Sequence, residues 1–326
     1  MIFLNSEIRS IAVLTSGGDA PGMNAAIRAV VRKGIYHGFR VYGIERGYDG
    51  LIHGMTREMS LGTVADIVHR GGTMLMTARS QEMMTQEGQG KAAEQLREQG
   101  IDALVVIGGD GSFRGAQTLS AQGIPIIGIP ATIDNDIPGT ELTIGFDTAV
   151  NTVIESVSKI RDTATSHERT FIVEVMGRES GSIALQAGLA CGAESIIIPE
   201  IEINLDDVGA KLLRGHQRGK NHSIIIVAEG AGSAWQISEE LRLKTGFDTR
   251  VTILGHIQRG GNPSALDVVT ASAMGGKAVD LLRAGLSDQM TAYVNQEVIG
   301  LPLEVAYGPR KPFNQALYDL ANQLAI

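Results

Sequence analysis

Apolar runs of four to six residues, closed by glycine-rich turns, alternate along this chain with longer stretches in which apolar residues recur every three or four positions. The runs cover residues 11–14, 40–44, 103–107, 124–129, 171–175, 195–198, 223–228 and 251–254. They are rich in β-branched residues and show no in-and-out alternation, the pattern of parallel strands buried on both faces. Segments 24–36, 91–99, 148–160, 206–218 and 265–283 carry helical spacing instead. Strands alternating with helices predict an α/β layered fold with right-handed crossovers.

Length sharpens that picture. At 326 residues the chain exceeds the size at which single cores stop growing. Two lobes are therefore expected, each a mainly parallel β-sheet flanked by helices, with the active site in the cleft between them. Hydrophobic residues make up 43% and the mean hydropathy is +0.06, values of a folded soluble protein. No apolar run approaches the roughly 18 to 20 residues of a membrane span, and residues 1–4 are too short for a leader peptide. Cys191 is the only cysteine, so no internal disulfide is available, and no Cys/His cluster has zinc spacing. A reducing, cytoplasmic compartment is expected. The net charge of -8 argues against nucleic-acid binding. Of 28 basic residues 20 are Arg, whose planar fork matches phosphate and carboxylate.

Two strings carry the chemistry. Gly108-Gly109-Asp110-Gly111-Ser112 and Thr132-Ile133-Asp134-Asn135-Asp136 each follow a predicted strand, where ligands gather in parallel sheets. The first sets flexible backbone beside one carboxylate, so that amides can face phosphate oxygens and Asp110 can hold Mg²⁺. The second offers a base for a hydroxyl nucleophile, as phosphoryl transfer to an alcohol requires. A further turn, residues 15–22, opens the first predicted helix, where its amides and the helix dipole can seat an anion. It lacks the Gly-Lys-Ser/Thr ending of a P-loop, and no Gly-x-Gly-x-x-Gly follows any strand, which argues against P-loop and dinucleotide chemistry.

Six segments occur in fixed order: 14–28 (LTSGGDAPGMNAAIR), 106–112 (VIGGDGS), 132–136 (TIDND), 160–169 (IRDTATSHER), 173–178 (VEVMGR) and 254–261 (LGHIQRGG). Together, from about residue 11 to 267, they resemble the bacterial ATP-dependent 6-phosphofructokinase family. The resemblance implies transfer of the γ-phosphoryl group of Mg·ATP to the 1-hydroxyl of fructose 6-phosphate, by a cytoplasmic homotetramer acting in glycolysis. It implies a larger nucleotide-binding lobe, 1–145 with 258–308, and a smaller sugar-phosphate lobe, 146–257 with 309–326. Matched positions make Asp134 the base, Thr132 the residue that places the sugar, Asp136 a support for metal or base, and Arg178 the stabiliser of growing charge. Gly18, Arg79, Ser80, Gly109, Asp110, Gly111 and Ser112 match ATP and Mg²⁺ positions. Met176, Gly177, Arg178, Glu229, His256 and Arg259 match sugar-phosphate positions, and Arg169 and Arg250 match arginines supplied by a neighbouring subunit.

Arg28 and Arg32, four apart on one predicted helix, with Arg161, Gly192, Glu194, Arg218 and Lys220, match a regulatory site. The resemblance implies that it takes ADP or GDP as activator and phosphoenolpyruvate as inhibitor. Several positions depart from the family. Ala131 replaces a usual glycine, Ser80 a more hydrophobic residue, and Leu61 and Val268 stand where arginines are often found; 286–312 diverges further. Pyrophosphate-using relatives carry Asp at position 111 and Lys at 131, and this chain has neither, which favours ATP. A pyrophosphate-dependent enzyme and a noncatalytic metabolite sensor on the same fold are the rival readings. His167, Trp235 and the pair Met83-Met84 read as ordinary structural or surface residues.

Overall fold

The structure is a computed structural model that describes residues 2–3 and 8–325. The expectation for residues 1–4 falls partly outside that range. The chain forms β1 (Ile2–Phe3), β2 (Ser10–Thr15), α1 (Met23–Tyr36), β3 (Arg40–Ile44), α2 (Gly47–Ile52), β4 (Thr56–Glu58), α3 (Gln86–Glu98), β5 (Ala103–Gly108), α4 (Asp110–Ser120) and β6 (Ile126–Pro130). It continues through α5 (Phe146–His167), β7 (Thr170–Val175), α6 (Ser182–Ala190), β8 (Ser195–Ile197), α7 (Leu205–Gln217), β9 (Ser223–Ala228), α8 (Ala234–Thr245) and β10 (Thr249–Ile253). It closes with α9 (Ala265–Arg283), β11 (Leu286–Ser287), β12 (Gln289–Val294), β13 (Glu297–Pro302) and α10 (Gln315–Leu324). The fold is α/β, and the chain divides into two compact units. One comprises Met1–Thr132, Ile137–Asp147 and Arg259–Lys311; the other comprises Ile133–Asp136, Thr148–Gln258 and Pro312–Ile326.

The first unit is built on a seven-stranded sheet of order β13-β12-β6-β5-β2-β3-β4, parallel except where β4 and β13 pair antiparallel at its two edges. Alternate residues of its strands face opposite layers. Ala12, Leu14, Leu104, Val106 and Ile126 join Leu51 of α2, Leu96 of α3 and Phe113 of α4 in one buried cluster. Phe113 fits because β6 carries Gly128, where a Cβ would lie 2.7 Å from the Phe113 ring. Helices α1 and α9 pack on each other as closely as they do because position 275 is glycine: a Cβ there would lie 2.7 Å from the Ala26 carbonyl. Strand β2 has β3 on one side and β5 on the other. The order therefore reverses between β2 and β5, the place where open α/β sheets bind ligands beyond the strands' carboxyl ends.

The second unit holds a four-stranded, wholly parallel sheet of order β10-β7-β9-β8. Ile172, Ile197, Ile225 and Val227 pack against Val208 and Leu212 of α7 and Ala234, Ile237 and Leu241 of α8. Each fully buried aliphatic side chain of this kind stabilises by about 1.5–3 kcal/mol.

Every predicted strand and helix forms, with shifted ends. Helix α5 runs to His167 rather than stopping at 160. Thr152, Ser156, Thr165 and Ser166 turn their hydroxyls onto the carbonyls four residues back, so the polar stretch keeps its helical ladder until Glu168 takes φ 52°. Helices α2, α4, α6, α8 and α10 form in addition to the predicted set; α6, SIALQAGLA, is apolar nearly all round. The divergent 286–312 stretch contains the β12–β13 edge hairpin. Its two-residue turn, Asn295-Gln296, has φ 50° and 67°, a hairpin turn without the glycine that usually marks one.

Candidate active site

Three turns leave the carboxyl ends of neighbouring strands in the first unit. After β2, the Ser16 amide donates to the Ile107 carbonyl at 3.0 Å, and the Ser112 hydroxyl donates to the Ser16 carbonyl at 3.0 Å, which ties turn 15–22 to turn 108–112. Position 108 must be glycine for this approach, since a Cβ would lie 2.4 Å from Ser112 Oγ and 2.5 Å from the Ser16 carbonyl. Gly109 caps α4 with no side-chain hydrogen bond, and Asp110 is the first helical residue. The Asp110 carboxylate is about half exposed, with Arg114 Nε 4.0 Å away. A Cβ on Gly111 would meet nothing within 4 Å. Open space, helix-start amides and one carboxylate are the parts of a phosphate and cation seat.

The other expected residues of this unit fall as follows. A Cβ on Gly18 would lie 2.5 Å from Arg259 Nη1, and that guanidinium donates to the Asp19 carbonyl at 3.2 Å. The Thr132 carbonyl accepts from Thr143 Oγ1 at 2.6 Å, and Thr132 Cβ is the atom nearest a Cβ built on Gly109, at 3.9 Å. Ser80 Oγ accepts from the Met83 amide at 3.2 Å, closing the turn after the exposed Arg79. Tyr48 of α2, a position the sequence did not single out, donates its phenol to the Ser112 carbonyl at 2.5 Å. Burial pushes that phenol's pKa far up, which keeps it a donor. Asn24 likewise braces turn 70–74: its Oδ1 accepts from the Met74 amide at 2.7 Å and its Nδ2 donates to the Arg70 and Gly71 carbonyls.

In the second unit, Asp134 is 1% exposed, and Arg178 brings Nε to 3.4 Å from its Oδ2. The backbone that delivers Arg178 is unusual. Gly177 has φ 139°, and Arg178 itself has φ 52°, a left-handed conformation that costs an L-residue about 1–2 kcal/mol. Side chains from other loops hold it. Glu229, just past β9, accepts from the Gly177 amide at 3.2 Å and from the Arg178 amide at 2.8 Å, both through Oε1. Gln258, fully buried, accepts from the Met176 amide at 3.2 Å and donates to the Gly255 carbonyl at 3.0 Å. The turns after β7, β9 and β10 thus bring Met176, Gly177, Arg178, Glu229 and His256 to one end of the sheet. Non-glycine residues held at positive φ cluster at functional sites. Asp136 follows Asp134 by two residues and is half-buried.

Arg169 and Arg250 are not at that end. Arg169 precedes β7, Arg250 pairs in register with Phe171 at the start of β7, and both reach Asp248, at 2.8 and 3.0 Å. A six-residue strand separates them from Met176, roughly 20 Å of extended chain. The expected regulatory residues of this unit gather at the same amino end. Arg161 Nη2 donates to the Cys191 carbonyl at 2.5 Å, Gly192 ends α6 with φ 63°, Arg218 caps α7, and buried Glu194 pairs with Lys220 while also accepting from the Ile224 amide. Burial raises the Cys191 thiol's pKa, with the Arg161 charge acting against it. Arg28 and Arg32 lie on α1 of the first unit, half-buried and exposed respectively, and Leu61 is exposed.

Among the described residues no three His, Cys, Asp or Glu side chains gather as a metal cluster. One exposed carboxylate at a helix start fits Mg²⁺, which binds through one or two carboxylates and otherwise through substrate phosphates and water. No described helix is long and apolar enough to cross a membrane.

A model of the phosphofructokinase family matches residues 10–282. The chain is 56% identical over 319 residues to the ATP-dependent 6-phosphofructokinase of Shouchella clausii, covering 98% of this chain and 100% of that protein. It is 57% identical over 332 residues to the enzyme of the same name from Halothermothrix orenii, with the same coverage. Among solved structures, phosphofructokinase from Saccharomyces cerevisiae superposes with a TM-score of 0.89 at 34% identity, over 97% of this chain; the chain spans 46% of that larger protein. A pyrophosphate-dependent phosphofructokinase from Nitrosospira multiformis shares the fold at a TM-score of 0.86 and 20% identity, over 94% of this chain and 86% of that one.

Proposed function

This chain belongs to the phosphofructokinase family, and from that premise we propose that it is an ATP-dependent 6-phosphofructokinase. It transfers the γ-phosphoryl group of ATP to the 1-hydroxyl of fructose 6-phosphate, giving fructose 1,6-bisphosphate and ADP. Asp134 accepts the hydroxyl proton as the oxygen bonds to phosphorus, and the bond from phosphorus to the ADP oxygen breaks. Arg178 stabilises charge on the transferred group, while Thr132 and Asp136 place the sugar and support the base. The observation that carries the reading is the Arg178–Asp134 contact at 3.4 Å: a proton acceptor and a phosphoryl-binding cation share one point, on a loop that side chains hold in an unfavourable backbone conformation.

Asp110 would hold Mg²⁺, which neutralises charge on the nucleotide phosphates. Gly18, Arg79, Ser80, Gly109, Gly111 and Ser112 surround the nucleotide in this reading, so the first unit is the nucleotide-binding lobe and the second the sugar-phosphate lobe. The 6-phosphate takes His256, Arg259, and Arg169 and Arg250 of a neighbouring copy. That sharing is supported by the position of Arg169 and Arg250 at the far end of β7, where their own chain's sugar loops do not reach. Four charge-assisted contacts of about 1.5–3 kcal/mol each orient a doubly charged group strongly.

A homotetramer in the cytoplasm follows from the same reading. So does regulation by ADP or GDP and by phosphoenolpyruvate through Arg28, Arg32, Arg161, Gly192, Glu194, Arg218 and Lys220. ATP rather than pyrophosphate is supported by Gly111, whose surroundings leave room for a side chain that is not there.

A donor-by-acceptor grid tests the proposal: ATP and pyrophosphate against fructose 6-phosphate, with and without ADP and phosphoenolpyruvate. Turnover with ATP is expected. Turnover with pyrophosphate alone would reassign the donor, and tight effector binding without turnover would identify a sensor.

A further inference from the structure

We infer that Gln258 is a positioning residue for the sugar-phosphate site, locking the turn that carries His256 to the loop that carries Arg178. This rests on the functional reading above and extends it to a residue with no reactive group. Gln258 is 0% exposed. A buried carboxamide must satisfy both ends, and here each end serves a different loop. Its Oε1 accepts from the Met176 amide at 3.2 Å, and its Nε2 donates to the Gly255 carbonyl at 3.0 Å.

The first bond completes a set. The amides of Met176, Gly177 and Arg178 are three in a row, and each ends on a side chain from elsewhere: Gln258 takes the first and Glu229 the next two. With φ 139° at Gly177 and φ 52° at Arg178, the loop has no regular ladder of its own, so these acceptors fix where the Arg178 guanidinium stands relative to Asp134. The second bond closes the turn Gly255–Arg259 on itself, which sets the direction of the exposed His256. Glutamine supplies an acceptor and a donor about 2 Å apart on one rigid plane. Leucine supplies neither, and glutamate at neutral pH supplies acceptors only.

Gln258→Leu and Gln258→Glu in the full chain test the assignment by steady-state kinetics and thermal unfolding. Gln258→Leu keeps the buried volume. It is expected to raise KM for fructose 6-phosphate about tenfold to a hundredfold and to lower kcat, while KM for ATP stays within twofold. Gln258→Glu is expected to show the same split at pH 8. It should recover toward wild type at pH 6, because burial favours the protonated carboxyl and its hydroxyl restores a donor for Gly255. Arg178, Glu179, Glu229, His256 and Arg259 are the charged or titratable groups on the loops around it. Dividing by the wild-type value at each pH removes their own titration. The inference is overturned if both KM values rise together, if neither moves, or if the Gln258→Glu ratio to wild type is flat with pH. If Gln258→Leu fails to fold, the pH recovery of Gln258→Glu decides alone. A wild-type chain that does not phosphorylate fructose 6-phosphate overturns the functional reading itself, a result separate from any variant.

Discussion

Replacing Gly111 by alanine should make the protein more stable and a poorer nucleotide binder at once. Gly111 is the second residue of α4, its φ lies outside the left-handed region, and a Cβ there would meet nothing within 4 Å. Neither a turn nor packing demands glycine, and glycine within a helix costs about 0.5–1 kcal/mol relative to alanine. Gly111→Ala is therefore expected to gain about that much, a rise of roughly 1–3 °C in the melting temperature of the ligand-free protein. Under the proposed function, the same methyl enters the open space assigned to the nucleotide phosphates beside the helix-start amides. Standing one phosphate off its amide removes a charge-assisted hydrogen bond of about 1.5–3 kcal/mol, so KM for ATP should rise roughly 10- to 150-fold while KM for fructose 6-phosphate stays within twofold. Thermal unfolding without ligand and steady-state kinetics with each substrate varied are sufficient assays. A more stable variant with an unchanged KM for ATP would show that Gly111 is not kept open for the nucleotide.

Asp134→Ser should lower turnover about 10²- to 10⁴-fold, the usual worth of a positioned base, with KM for ATP within about threefold; retained turnover would remove the base assignment. Lys220→Met leaves the buried Glu194 carboxylate without its cation and should lower the unfolding free energy by about 2 kcal/mol. That is less than for a fully buried pair, because Lys220 is 42% exposed. An unmoved urea midpoint would mean that the pair does not hold β8 and β9 together. Chelation by EDTA should abolish turnover, reversibly with added Mg²⁺, and leave the ligand-free melting temperature unchanged. A lower melting temperature would reveal a structural metal outside the substrate phosphates.

The buried parallel strands were legible because their signal is local. A run such as Ala103–Gly108, apolar and β-branched throughout, has no better place than the middle of a sheet. Helix α8 and the hairpin of β12 and β13 were not legible, because a polar helix and a glycine-free turn are chosen by what they pack on. The same division runs through the candidate site. Asp110 and Asp134 stand in short strings whose chemistry can be named from residue type, whereas the role of Arg178 is implied only by the family resemblance. Tyr48, Asn24 and Gln258 cannot be found this way: a phenol or an amide acquires its role only from which carbonyl or amide it meets, 64, 50 and 82 residues away respectively.

By itself, then, the amino-acid sequence determined the α/β class, the alternation of its buried strands with the most periodic helices, and the turns that carry Asp110 and Asp134. These follow from hydrophobic period and from residue chemistry, both properties of neighbours along the chain. The tertiary structure alone decided that β2 and β5 lie side by side, that Arg178 is bent through a left-handed conformation toward a buried carboxylate, and that Arg169 and Arg250 stand at the opposite end of β7 from their own chain's loop 176–178. Such outcomes depend on strand order and on hydrogen bonds between distant segments, and their energies exist only once the chain has folded.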